Sequence, residues 1–88
     1  MPIAKIYPTT HFVKSYKNLP EKIRTLSRQK EGIFLADPFD SQLKTHKLKG
    51  RLKHYWSYSV DYQYRVMFRF IDNTTVLYLD IGKHDIYR

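Results

Sequence analysis

Residues 56–81 read WSYSVDYQYRVMFRFIDNTTVLYLDI, and the spacing of their apolar side chains decides the fold. Trp56, Tyr58 and Val60 alternate with Ser57, Ser59 and Asp61. Val66, Phe68 and Phe70 alternate with Arg65, Met67 and Arg69, and then Leu77, Leu79 and Ile81 alternate with Tyr78 and Asp80. A period of two sends successive side chains to opposite faces of a sheet, so the stretch predicts three half-buried strands. Asp72-Asn73 supplies a tight hairpin turn between the last two. The resulting β-meander has one apolar face and one wetter face that carries Arg65 and Arg69.

Upstream of this stretch the period lengthens. Ile3 to Tyr7 reads as a short strand stopped by Pro8, after which Thr9 or Thr10 can cap a helix with Phe12, Val13, Tyr16 and Leu19 on one side. Pro20 suits the first position of a second helix and Glu21 its first turn. Ile23, Leu26, Lys30, Ile33 and Phe34 then recur at spacings of three and four. Asp37-Pro38 ends that helix, and the polar stretch from Phe39 to Thr45 reads as a loop. The predicted order is β-α-α-β-β-β. This is an α+β fold with the helical hairpin packed on one face of a small, mainly antiparallel sheet and the other face concave and free. Residues 1–88 are expected to form a single domain, because dividing the chain would leave neither half a workable core.

Composition narrows the function. There are no cysteines, hence no disulfide framework or thiolate metal site. No run approaches the ~18 apolar residues of a membrane span, and the start MPIAKIYPTT lacks a signal-peptide core, so a cytoplasmic protein with no membrane partner is expected. Sixteen Lys and Arg stand against eight Asp and Glu, and a net charge of +8 favours a polyanionic partner. The charge is uneven, with five Lys or Arg and no carboxylate from Ser41 to Val60. Aromatic residues make up 16% of the chain, eight of them Tyr, and rings interleaved with cations suit stacking on unpaired bases. The glycines at 32, 50 and 82 are too scattered to cradle a phosphate. The histidines lack metal-ligand spacing, so neither a metal nor another cofactor is expected.

Cations, His46, His54 and His84 on so small a scaffold are the groups needed to grip a phosphodiester and move protons around it. Arg65 is read directly from its strand: Tyr64 and Val66 face the helices, and the guanidinium goes to the other side, where it suits a phosphate. His11 reads as a plain helical histidine, His54 as a surface residue, and Trp56 as core or a lid on the site.

Several short motifs in order then give the chain a family likeness. NLP lies between the helices and DPF before the loop, followed by HKLKG as H-x-L-x-G, the W-S pair, YRVMF as Y-R-V-x-F, and GKHDIY as G-x-H-x-x-Y. In these the chain resembles the bacterial RelE/ParE toxin superfamily over nearly its whole length, and within it the YafQ and YoeB mRNA interferases. The resemblance implies the toxin of a type II toxin–antitoxin pair: a ribosome-dependent, metal-independent mRNA endoribonuclease that acts in the ribosomal A site to inhibit translation. It also implies a small cognate antitoxin, which the charge of +8 predicts to be acidic.

The resemblance assigns roles as well. His46 falls where YafQ-like toxins place an active-site histidine and YoeB a glutamate, which implies the general base. His84 matches the C-terminal histidine of both groups, which implies the general acid. Tyr87 matches the terminal aromatic, placed to stack on a base or share the acid role. The nuclease members share an arginine at the position of Arg65. Lys49 is the expected second phosphate contact, while Lys47, Arg51 and Lys53, with Arg69 on the wetter face, are expected to hold RNA without sequence preference. The chain departs from the pattern twice. The lysines that the RelE branch carries on the Trp56-Ser57-Tyr58 strand are absent, and Gln63-Tyr64 stands where YafQ-like toxins have an acidic–aromatic pair. A ParE-like DNA gyrase inhibitor, with the same fold and no nuclease activity, is the alternative from another functional class, and an inactive basic RNA-binding module is a third.

Overall fold

The computed structural model describes residues 2–87. Its strands are β1 (Lys5–Pro8), β2 (His46–Lys47), β3 (Trp56–Ser59), β4 (Arg65–Asp72) and β5 (Thr75–Gly82), forming one sheet in the order β1-β5-β4-β3-β2. β1 runs parallel to β5, and every other neighbouring pair is antiparallel. Helices α1 (Thr10–Lys17) and α2 (Glu21–Ala36) cover one face. Phe34 of α2 is fully enclosed there, with Tyr58, Phe68 and Tyr78 around its ring at centroid distances of 4.7, 5.0 and 6.1 Å. Rings of this size dominate the burial energy of a small core.

The α+β architecture is the one the sequence predicts, with four local corrections. His46–Lys47 is a fifth strand, too short for its alternation to show. The stretch Phe39 to Thr45 is not a plain loop: Ser41–Leu43 forms a 3₁₀ turn capped by Asp40, and Leu43 is fully buried. Pro20 precedes the second helix as its cap instead of opening it.

The fourth correction concerns the inward face of β5. Met67 pairs with Asp80 and Phe68 with Tyr78, which leaves Leu79 as an extra residue in a β-bulge. Beyond the bulge the alternation changes phase, so Val76, Tyr78 and Ile81 are the buried side chains while Leu77 and Leu79 are only half-buried. Thr9 ties this irregularity to the helices. Its hydroxyl accepts from Phe12 N at 3.1 Å as the α1 cap and donates to the Leu79 carbonyl at 3.2 Å.

Candidate active site

The face away from the helices is not wholly free, because Ser57 is fully buried on it and Met67 nearly so. His46 pairs with Ser57, Ser57 with Met67, and Ser59 with Arg65, so these side chains share that face. Lys47 pairs with Trp56 and points the other way. The register thus sets Lys47, expected to hold RNA without sequence preference, on the other side of the sheet from His46.

His46 is exposed, and its ring is oriented by Nδ1 lying 3.0 Å from the Lys44 carbonyl. A carbonyl only accepts, so Nδ1 carries the proton and the neutral ring keeps its lone pair on Nε2, ready to take a proton. That carbonyl is presented by an unusual backbone: Lys44 has a φ of 51°, in the left-handed region that a lysine adopts only at a cost of about 1–2 kcal/mol.

The chain end supplies the rest. After β5, His84–Tyr87 forms a 3₁₀ turn that brings the Tyr87 hydroxyl 2.5 Å from Ser57 Oγ. The ring of exposed His84 stands edge-to-face with Tyr87, 6.0 Å between centroids at 75°. Gly82 lets the turn lie this close, since a Cβ there would meet Ile86 Cγ2 at 2.7 Å. His46, Ser57, Tyr87 and His84 therefore form a line of neighbours across the open face. Arg65, half-buried and opposite Ser59 and Gly82, is steered along the strand end. Its Nη1 donates to the carbonyls of Asp61 and Tyr64, in a turn held by Asp61 Oδ1 accepting from the amides of Gln63 at 2.8 Å and Tyr64 at 2.7 Å. Among the described residues Nε and Nη2 make no hydrogen bond, which leaves donors on a guanidinium fixed by its first nitrogen.

Around this line lie the cations. Lys49, Arg51 and Lys53 are exposed on and beside the 3₁₀ turn Gly50–Leu52, and exposed Arg69 shares the face of Arg65. His54 is exposed, as expected, and His11, also exposed, pairs through Nε2 with Asp80 at 3.0 Å. Trp56 packs against the core and meets Phe39 and Phe70 edge-on. No group of three His, Asp or Glu among the described residues is arranged to hold a metal. Two contributors escaped the sequence reading. Ser57 had a faint signal in the W-S pair on the wet side of its strand; the backbone of Lys44 had none.

Residues 10–83 match the family described as the RelE-like toxin of the type II toxin–antitoxin system HigB, and the chain belongs to that family of toxins. No curated protein matches it. Among solved structures it superposes on a YoeB/ParE toxin from Agrobacterium tumefaciens at a TM-score of 0.76, with 18% identity over 92% of this chain and 99% of the other. YafQ from E. coli strain BL21(DE3) gives 0.74, with 16% identity over 93% and 94%. The RelBE2 toxin–antitoxin complex from Mycobacterium tuberculosis gives 0.78, with 22% identity over 96% and 100%. At these identities the structures share the fold, which is RelE-like.

Proposed function

We propose that this toxin is a single-domain mRNA endoribonuclease of the cytoplasm that cuts messages in the ribosomal A site without a metal. The observation that carries the reading is the line from His46 through Ser57 and Tyr87 to His84 on one open face. His46 Nε2 takes the proton from a ribose 2′-OH, and that oxygen attacks the adjacent phosphorus. Arg65 and Lys49 neutralise the charge that grows on the pentacoordinate phosphate. His84 protonates the departing 5′-oxygen, leaving a 2′,3′-cyclic phosphate and a 5′-hydroxyl. Tyr87, fixed by Ser57, offers a ring for a base beside His84.

The net charge of +8 supports an acidic antitoxin lying over the basic face. The similar M. tuberculosis protein is seen in a toxin–antitoxin complex, which favours the same kind of partner here. Arg65→Ala and His84→Ala are each expected to abolish growth arrest on induction while the purified variants remain folded. A folded double variant that still stops growth, with messages intact and DNA damage signalling induced, would move the reading to gyrase.

A further inference from the structure

Away from the line of His46 and His84, the distal end of β4 carries two hollows with a common wall. The first, of about 340 Å³, is lined by Arg51, His54, Tyr55, Arg69 and Phe70. The second, of about 370 Å³, is lined by Pro38, Phe39, Phe70 and Asn73. Phe70 belongs to both.

The first hollow gathers two guanidinium groups and an imidazole, and no carboxylate lines it. Arg51, His54 and Arg69 make no side-chain hydrogen bond or ion pair among the described residues. Like charges brought together without a counter-charge repel, so the hollow suits an anion that comes from outside. The second hollow is aromatic. Phe39 is 55% exposed and lies nearly parallel to Phe70, 6.1 Å away at 20°, with Trp56 edge-on to both. A large exposed ring, backed by two others and flanked by the amide of Asn73, suits a flat heterocycle. A nucleotide is a phosphate and a flat base joined by a short sugar, which is the pairing these adjacent hollows offer.

We propose that this end of the sheet is a second nucleotide subsite for single-stranded RNA, with Arg51, His54 and Arg69 holding a phosphate and Phe39 stacking on its base. The subsite rests on RNA being the substrate and deepens that reading. Arg69 lies four residues along β4 from Arg65 on the open face, roughly 13 Å at strand rise, while Phe39 and Phe70 lie on the helix side. β3 pairs with β4 only as far as Phe68, so a strand of RNA that passes both arginines turns its base around the edge of β4 onto Phe39.

The test is fluorescence anisotropy of a 12-nucleotide oligoribonucleotide with the full chain carrying His84→Ala, so that binding is read without cleavage and a failure of catalysis does not obscure it. Adding Arg51→Gln and Arg69→Gln together should lower affinity and reduce the slope of log K against log salt by about 0.7, the value for one phosphate contact on a single strand. Adding Phe39→Ala should weaken binding about tenfold, with the slope unchanged, and should have no effect on an abasic strand of the same length. Circular dichroism establishes that each variant is folded. Unchanged affinity in the arginine variant, an equal Phe39→Ala effect on both strands, or a loss of binding seen only with a poly-glutamate peptide would each overturn the subsite; the last would assign the cations to an acidic protein.

Discussion

On the helix side of the sheet Phe34 is enclosed by three aromatic rings, and the buried hydroxyls of Tyr58 and Tyr78 bond each other at 2.7 Å. Burial pushes both phenols well above their ordinary range, so both keep their protons at neutral pH. On the other side His46 keeps Nε2 open, Arg65 keeps part of its fork, and His84 is exposed beside Tyr87. One face uses its polar groups within the chain and supplies stability. The other holds His46 and Arg65 in fixed orientations and leaves donor and acceptor atoms on them unused, which is what a site for an external phosphate needs.

If this division is right, the two faces respond oppositely to truncation. Phe34→Ala should cost about 3–5 kcal/mol by denaturant unfolding, a large part of the stability of so small a protein. His84→Ala should change stability by less than about 0.5 kcal/mol yet lower message cleavage by roughly 10²–10⁴-fold. A stable Phe34→Ala variant, or a His84→Ala variant that unfolds, breaks the contrast. On the core side, Tyr58→Phe and Tyr78→Phe should each cost about 1–3 kcal/mol, because each strands its partner's hydroxyl. The double variant should cost less than the two combined; strict additivity in denaturation curves would show that the hydroxyl pair is not coupled.

Ser57 sharpens the comparison because it is buried yet serves the open face. Ser57→Ala should cost about 1 kcal/mol and slow cleavage by freeing Tyr87, and Tyr87→Phe should match it in both readouts. Cleavage at the wild-type rate in both variants would make the contact purely structural. The smallest effect lies at the hairpin turn. The exposed Asp72 carboxyl is held below its ordinary 3.8, first by the backbone N–H of Thr74. Its folded value lies below its unfolded one, so the stabilisation is present above 3.8 and lost as pH falls through the lower folded value. The stability gap between wild type and Asp72→Asn should therefore narrow in acid, and a gap constant with pH contradicts the assignment.

Elements with a sustained period were legible in the chain. Val66, Phe68 and Phe70 announced β4, the outward direction of Arg65 followed from it, and Thr9 with the following apolar spacing announced α1. Two residues cannot display a period, so β2 was invisible. Leu79 in its bulge shifts the phase of β5 midway, and a strict alternation carried past it assigns the wrong face. The candidate site was legible as residue types in order, because His46, Arg65 and His84 stand in recognisable motifs. How they are held was not. The bond from Tyr87 to Ser57 spans 30 positions, Lys44 carries no composition signal for its left-handed backbone, and the carbonyls that fix Arg65 come from a turn whose sequence looks unremarkable.

The most direct measurement is cleavage of a defined message by the wild type and His84→Ala, with and without ribosomes, the ends mapped by primer extension. The account predicts cuts within A-site codons that require ribosomes and vanish in the variant. Intact messages in every condition from folded wild-type protein, or equal cutting by His84→Ala, would contradict it.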